Sequence, residues 1–324
     1  MIGAIIGDIV GSCWEFEPTN DYNFEWLSKE NNFTDDTICT IAIADALLNN
    51  FDFGKCLHDW CNRYPHPMGG YGPRFTDWVF SNNPTPYNSY GNGAAMRVSP
   101  VAYWFEDENQ MLDAAAATAI PTHNHDEGVK GAQTVALAIY KAMVFNRHRY
   151  QNASMHIDEI IKECIDFSGY NIDMPKSSVL NRFDTTCQGT VPVALKIISM
   201  STCFEDAVRI AVSLGGDADT LGAIVGSIAE PIWGIPLNIR SMITGYLPED
   251  MRTIIDEFET VRPNSFKPLI DTTYSGNDFC DVSWDMLYDI DGKDAYETAI
   301  KECKNDKEFK RMLMAERAKA RNKW

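Results

Sequence analysis

Apolar residues recur at intervals of three and four positions through most of the chain, and this periodicity limits which folds the chain can form. It predicts amphipathic helices, and the segments that carry it are 38–48, 111–119, 128–144, 157–167, 191–200, 204–214 and 221–229. Alternation of apolar and polar residues, which would predict β-strands, does not extend over any long stretch. The sequence therefore predicts an all-α fold, a compact helical bundle.

An excess of acidic residues excludes one class of function. The 324 residues include 46 Asp and Glu but only 28 Lys and Arg, which gives a formal net charge of −18. Proteins that bind nucleic acids usually present a net basic surface to the phosphate backbone. We therefore do not expect nucleic acid to be a partner of this chain.

The cysteines and the N-terminal sequence bear on the compartment. Nine cysteines, an odd number at irregular spacing, favour free thiols in a reducing compartment over a disulfide framework. The first residues lack the basic segment of a signal peptide. The apolar run 221–235 is interrupted by Glu230 and Pro231 and is shorter than the ~20 residues of a membrane span. We expect a soluble, cytoplasmic protein that does not contact membranes.

The charge changes sign towards the C-terminus. Residues 293–324 contain 10 Lys and Arg against 6 Asp and Glu, a charge of +4, so that the other 292 residues carry −22. The composition also changes after Arg262. We predict a helical domain over 1–262 and a C-terminal extension over 263–324, which forms either a charged amphipathic helix packed on the outside or a flexible appendage.

Two clusters of acidic and hydroxyl side chains each lead directly into a predicted helix. Their members are Thr34, Asp35 and Asp36 in the first cluster and Asp217, Asp219 and Thr220 in the second. Helix capping accounts for one acceptor in each cluster, but carboxylates this close repel one another unless a cation neutralises them or water separates them. Hard oxygen ligands suit Mg²⁺ or Mn²⁺. The two matching clusters therefore indicate a shared site for two metal ions, with capping as the alternative.

A stripe of glycines precedes a candidate catalytic acid. Gly3, Gly7 and Gly11 lie on one face of a helix and predict close approach of another backbone. Glu15 follows between Trp14 and Phe16, where partial burial would raise its pKa towards values useful in general acid–base catalysis. The spacing alone does not establish a catalytic role for Glu15.

A glycine-rich loop offers a binding site for an anion. Ser89, Tyr90, Gly91, Asn92 and Gly93 lead into a short predicted helix, and backbone N–H groups in such a turn can bind an anion without basic side chains. Tyr90 could also stack on a flat ring. An ordinary turn with a packed tyrosine accounts for the same segment equally well.

Taken together, these segments resemble one family, the ADP-ribosylglycohydrolases. The matching segments follow the order of the family and span about three quarters of the chain, namely 3–16, 33–40, 89–100, 122–133 and 213–236. The resemblance implies an all-α orthogonal bundle with a central cleft that holds two divalent cations, Mg²⁺ or Mn²⁺. It also implies that the protein acts as a monomer.

The resemblance assigns roles to individual residues. The implied metal ligands are Thr34, Asp35, Asp36, Asp217, Asp219 and Thr220. Glu15 and Asp36 would be catalytic, Glu15 as the family's glutamate beside the scissile bond. The residues that would bind the ADP-ribose are Ser89, Tyr90, Gly91, Asn92, Gly93 and His123. The implied reaction is hydrolysis of the glycosidic bond between ADP-ribose and a modified protein side chain or a small acceptor.

Two other functions fit the same residues. One is a non-catalytic protein of the same fold, either an ADP-ribose-binding protein or a structural protein similar to the J1 crystallins. The other is a phosphoesterase or pyrophosphatase, because two metal ions also suit phosphoryl transfer. The sequence does not identify the acceptor, which arginine, serine, a nucleobase or another small molecule could supply.

Overall fold

Each predicted segment of apolar periodicity forms a helix, and only the helix predicted over 204–214 ends one residue early. The computed structural model describes residues 1–49, 51–147, 153–262, 321 and 324. The α-helices within these ranges are α1 (Ile2–Gly11), α2 (Asp35–Asn49), α3 (Phe53–Arg63), α4 (Pro73–Val79), α5 (Gly93–Met96), α6 (Ser99–Trp104), α7 (Glu108–Ala119), α8 (Asp126–Arg147), α9 (Ile157–Ser168), α10 (Cys187–Met200), α11 (Phe204–Ser213), α12 (Ala218–Trp233), α13 (Leu237–Met242) and α14 (Glu249–Val261). The described residues form isolated β-bridges but no strand, so the all-α prediction is confirmed.

Side-chain caps fix where several helices begin. Asp52 accepts a hydrogen bond from the amide of Lys55 at the start of α3. Asp107 caps α7 in the same way, and the side chain of Thr186 accepts from the amide of Gly189 in α10. Each cap satisfies one of the amides that have no partner inside the helix. The local sequence therefore determines these boundaries.

Close packing of α1 against α12 lies at the centre of the bundle. A Cβ atom at Gly3 would collide with the backbone of Gly226, and one at Gly7 with that of Gly222. A Cβ atom at Gly11 would lie 2.5 Å from the carbonyl oxygen of Ala218. All residues of both helices are buried. The close approach predicted from the glycine stripe is therefore confirmed, and α12 is the partner helix.

The remaining helices surround this pair. α11, α8 and α10 pack on α12, and α2 packs on α1 as well as on α3, α6 and α14. The start of α2 contacts Asp8 and the start of α12 contacts Gly11, both in α1, so the residues that precede these two helices lie close together. None of the described helices has the length and apolar composition that a membrane span needs.

The predicted C-terminal extension, 263–324, lies outside the described residues except for Arg321 and Trp324. Arg321 Nη1 lies 2.5 Å from Asp206 Oδ1, and Trp324 Nε1 donates a 2.8 Å hydrogen bond to the carbonyl oxygen of Met174. The domain boundary at 262, the monomeric state and the cytoplasmic location stay predictions.

Candidate active site

The two acidic clusters of the sequence meet between the first turns of α2 and α12. Thr220 Oγ1 donates a 3.1 Å hydrogen bond to Asp36 Oδ2, and Thr34 Oγ1 lies 3.4 Å from the same oxygen. All three side chains are buried. The hydroxyl of one cluster therefore contacts the carboxylate of the other.

Carboxylates from α1, α2, α12 and the turn after α1 form two groups that could each hold a metal ion. Asp8, Asp36 and Asp219 make the first group, and Glu15, Asp217 and Asp219 make the second. Within each group, one oxygen of every carboxylate lies within 4.8 Å of the others. Asp219 belongs to both groups, so the two candidate positions adjoin.

Asp8 is a member of this site that the sequence analysis did not identify. Its Oδ2 accepts 3.0 Å hydrogen bonds from the amides of Thr34 and Thr37, and its Oδ1 accepts a 2.8 Å bond from Thr34 Oγ1. Asp8 thus caps α2 from a different helix. The sequence signal that could have identified Asp8 is that it is the one acid, next to Gly7, in a helix whose other residues are apolar or small.

Some of the predicted metal ligands belong to the two carboxylate groups and others lie beside them. Asp36, Asp217 and Asp219 belong to the two groups, and Thr220 contacts them through its hydroxyl. Asp35 belongs to neither group and is only partly buried at the start of α2. The structure thus brings the aspartates of both sequence clusters together but leaves Asp35 at their edge.

Burial raises the pKa of the clustered acids. It raises the pKa of Asp8 to about 6. Burial, and next the charge of Asp8, raise the pKa of Asp36 well above its ordinary value. For Asp219, burial and then the charge of Asp217 act in the same direction. The five carboxylates of the two groups lie in so small a volume that they cannot all stay ionised without a positive charge among them.

Two oxygens of this cluster, Asp36 Oδ1 and Asp219 Oδ1, are buried and have no hydrogen-bond partner among the described residues. A buried acceptor without a partner costs free energy. Hard divalent cations bind carboxylate oxygens, and a cation at this place would give both oxygens a partner. The residues of the site therefore fit a divalent metal.

Glu15 lies at the edge of the cluster, after the 3₁₀-turn Ser12–Trp14. Burial, and next the charges of Asp217 and Asp8, raise its pKa to about 7. Its carboxylate lies against Gly69, where a Cβ atom would be 2.5 Å from Glu15 Oε2. Gly69 has φ +76°, a conformation that favours glycine. This glycine, which the sequence analysis did not identify, leaves room for the Glu15 side chain.

The loop Ser89–Gly93 is joined to the acidic cluster by one side chain. Asn92 Nδ2 donates a 2.6 Å hydrogen bond to Asp217 Oδ2, and Asn92 is buried. The amide of Asn92 donates to the carbonyl oxygen of Thr185 at 2.8 Å, and the amide of Gly91 donates to Ser89 Oγ at 3.1 Å. These two amides thus have partners inside the protein already.

His123 lies over the same loop. A Cβ atom at Gly91 or at Gly93 would be 3.2 Å from His123 Nε2, so the two glycines make room for the imidazole ring. Tyr90 is 45% exposed, and its ring meets that of His125 edge to face at 5.3 Å. The predicted loop residues and His123 therefore lie together, and Asn92 joins them to the acidic cluster.

Comparison with known proteins identifies the family. A model of the ADP-ribosylglycohydrolase family matches residues 1–264. The chain belongs to this family. The resemblance seen in the sequence motifs is thereby confirmed, and the membership supports hydrolysis of an ADP-ribosyl bond as the general activity.

Several curated proteins are similar to this chain over most of their length. YegU of Escherichia coli (strain K12), an uncharacterized protein, is 26% identical over 291 residues that cover 72% of this chain and 86% of YegU. The ADP-ribosylhydrolase ARH3 of Xenopus tropicalis is 23% identical, with 76% of this chain and 90% of ARH3 covered. The ADP-ribosylarginine hydrolase Tri1 of Pseudomonas putida (strain GB-1) is 24% identical, with 72% and 70% covered.

A solved structure shares the fold. It is that of an ADP-ribosylglycohydrolase-related protein complex, and it superposes with a TM-score of 0.57 at 22% sequence identity. The match covers 81% of this chain and 97% of the other. The all-α architecture is therefore that of the family.

Proposed function

We propose that this protein is a metal-dependent hydrolase that cleaves the glycosidic bond between ADP-ribose and an acceptor, either a modified protein side chain or a small molecule, and releases ADP-ribose. One observation carries the proposal. Two groups of carboxylates share Asp219 and include Glu15, contain two buried oxygens without partners, and are joined to the Ser89–Gly93 loop by the bond from Asn92 to Asp217.

The acidic cluster would hold two divalent cations, Mg²⁺ or Mn²⁺. Asp8, Asp36 and Asp219 would provide one position, and Asp217 and Asp219 the other, with the hydroxyls of Thr34 and Thr220 beside Asp36. When bound, such cations orient the ribose hydroxyls and lower the pKa of a nearby water. The oxygen-only set of ligands favours Mg²⁺ or Mn²⁺ over zinc or copper.

Glu15 would transfer the proton. Cleavage at the anomeric carbon passes through a transition state with oxocarbenium character, and a carboxyl group assists by protonating the leaving group or by taking a proton from the attacking water. Glu15 is half-buried at the edge of the acidic cluster, whereas Asp36 lies inside it. Glu15 therefore suits proton transfer, and Asp36 suits the positioning of the cations.

The Ser89–Gly93 loop and His123 would bind the diphosphate and ribose of the substrate. The bond from Asn92 to Asp217 couples this loop to the acidic cluster, so that a substrate held on the loop presents its ribose to Glu15. Since one relative is an ADP-ribosylarginine hydrolase, ADP-ribosylarginine is the first substrate to test.

A panel of substrates tests the proposal. Purified protein is incubated with ADP-ribosylated arginine, serine and nucleobase substrates, with Mg²⁺ or with EDTA, and the products are separated and identified by mass. We expect intact ADP-ribose from at least one substrate, with Mg²⁺ only. AMP or phosphate as product would support a phosphoesterase, and Mg²⁺-dependent binding of ADP-ribose without any hydrolysis would support a non-catalytic member of the family.

A further inference from the structure

Arg97 is a cationic side chain in the interior of this acidic protein. It follows α5 directly and is 1% exposed. Within the described ranges it forms no ion pair, and its Nε has no hydrogen-bond partner. Burying a guanidinium group without an anion is costly. The position of this charge therefore calls for an explanation beyond packing.

Arg97 is connected to His123 through Thr122. Its Nη2 donates 2.8 Å hydrogen bonds to Thr122 Oγ1 and to the carbonyl oxygen of Thr118. Thr122 Oγ1 in turn lies 2.6 Å from His123 Nδ1. The side chains of Arg97, Thr122 and His123 are all buried, so water does not compete with these hydrogen bonds.

The donors and acceptors of this chain fix its direction. A guanidinium group can only donate hydrogen bonds, so the hydroxyl of Thr122 accepts from Arg97. The hydroxyl has one hydrogen to donate, and among the hydrogen bonds of the described residues His123 Nδ1 is the one acceptor that this hydrogen reaches, so Nδ1 accepts it. Burial, and next the charge of Arg97, hold the pKa of His123 well below its ordinary range, so the ring is neutral. A neutral ring that accepts at Nδ1 carries its proton on Nε2.

His123 Nε2 faces the Ser89–Gly93 loop. It lies beside Gly91 and Gly93, at whose Cβ positions the ring would come within 3.2 Å, and the hydrogen bonds of the described residues do not engage it. The amides of Gly91 and Asn92 already donate to Ser89 and Thr185. These two amides are therefore not available to an anion on this loop, and the Nε2–H group beside Gly91 and Gly93 offers a further donor there.

We propose that Arg97 and Thr122 are positioning residues that hold His123 as its Nε2–H tautomer, so that His123 donates a hydrogen bond to the diphosphate of the substrate. The identity of the anion rests on the proposed function, whereas the tautomer does not. The positive charge of Arg97 behind the ring adds an attractive potential for a diphosphate, which the surface of a protein with net charge −18 does not supply.

Nitrogen NMR on the full-length protein tests the tautomer. The histidines are labelled with ¹⁵N, and the ring of His123 is assigned by comparison with the His123→Gln variant. We expect the wild-type ring to carry its proton on Nε2 only. In Thr122→Val, which lacks the hydroxyl, we expect a mixture of the two tautomers, and in Thr122→Ser, which keeps it, the wild-type spectrum.

Calorimetric titration of ADP-ribose in the presence of Mg²⁺ tests the consequence for binding. We expect Thr122→Val to weaken binding about five- to tenfold, which corresponds to one hydrogen bond, and Thr122→Ser to bind as the wild type does. A proton on Nδ1 in the wild type, or an unchanged tautomer in Thr122→Val, would overturn the positioning role. A changed tautomer with unchanged affinity would overturn the contact with the diphosphate.

The same data separate this inference from the proposed function. If the wild type does not bind ADP-ribose, the proposed function fails and the diphosphate contact fails with it, while the spectrum still decides whether Arg97 and Thr122 set the tautomer. If Thr122→Val does not fold, the spectra of the wild type and of Thr122→Ser test the positioning role: we expect a proton on Nε2 in both, and a proton on Nδ1 in either would overturn that role. Circular dichroism of each variant establishes which case applies.

Discussion

Thr220 Oγ1, in the first turn of α12, donates a 3.1 Å hydrogen bond to Asp36 Oδ2, in the first turn of α2. The bond provides one oxygen of Asp36 with a partner and leaves the other, Oδ1, buried without one. Asp219, one residue before Thr220, has a buried oxygen in the same condition. The first turns of two helices thus each carry a buried carboxylate oxygen without a partner, and both carboxylates line the space of one candidate metal position.

We predict that Mg²⁺ stabilises the folded protein by binding between Asp36 and Asp219. A ligand at about 100 times its dissociation constant adds about 2.7 kcal/mol to the free energy of unfolding, which raises Tm by about 4–5 °C in a chain of this size. Thermal unfolding with Mg²⁺ and with EDTA measures the shift. We expect Asp36→Asn and Asp219→Asn to lose it and Asp113→Asn, an exposed acid on α7, to keep it. An equal shift in all variants would place the metal elsewhere.

We predict an unusual pH dependence for the metal-free protein. The pKa of Asp36 is raised in the folded state, so the folded state binds the proton more tightly than the unfolded chain does. The stability that this proton provides is present at low pH and is lost as the pH rises. In EDTA, Tm of the wild type relative to Asp36→Asn should therefore fall between pH 5 and pH 8. A constant difference in Tm between the two proteins across this range would contradict the raised pKa of Asp36 in the folded state.

Gly7→Ala should strongly destabilise the fold. The added methyl group would collide with the backbone of Gly222 in α12, which cannot move aside as a flexible side chain would. We expect the free energy of unfolding, measured with urea, to fall by about 3 kcal/mol or more, the upper range for overpacked cores. Gly245→Ala is the control, because no atom lies within 4 Å of its Cβ position. Equal stability of the two variants would argue against the close packing of α1 and α12.

Asn92→Ala should impair catalysis more than folding. The substitution removes the donor that holds Asp217 Oδ2 at 2.6 Å, and hydrogen bonds to charged groups contribute about 1.5–3 kcal/mol. We expect kcat/KM for an ADP-ribosylated substrate to fall about 10- to 100-fold, with Tm changed by only a few degrees. Asn238→Ala, at an exposed position in α13, should behave as the wild type does. Unchanged kcat/KM in Asn92→Ala would show that the loop and the acidic cluster act independently.

The sequence predicts this architecture well where the signal is local. Periodicity locates the helices because each buries one face, and the glycine stripe predicts a close helix contact because glycine has no Cβ atom. The stripe does not indicate which helix packs against it, although Gly222 and Gly226 in α12 have the same spacing of four residues. Pairing of the two stripes depends on tertiary structure.

Asp8 and Gly69 show what local signals do not reveal. Asp8 is bound by the amides and hydroxyls of Thr34 and Thr37, which lie more than 20 residues away in the sequence, so its role exists only in the folded bundle. Gly69 belongs to a segment that pairs with Thr34 through the neighbouring Met68, and its contact with Glu15 arises from that pairing. Both residues depend on long-range contacts that periodicity does not encode.

The decisive measurement is the release of ADP-ribose by the wild type, Glu15→Gln and Asp36→Asn, with Mg²⁺ and the best substrate of the panel. We predict that each substitution lowers the turnover at least ~10²-fold while both variants remain folded, because Glu15→Gln removes the general acid or base and Asp36→Asn removes a ligand of the cations. Near-normal release of ADP-ribose by both variants would contradict it.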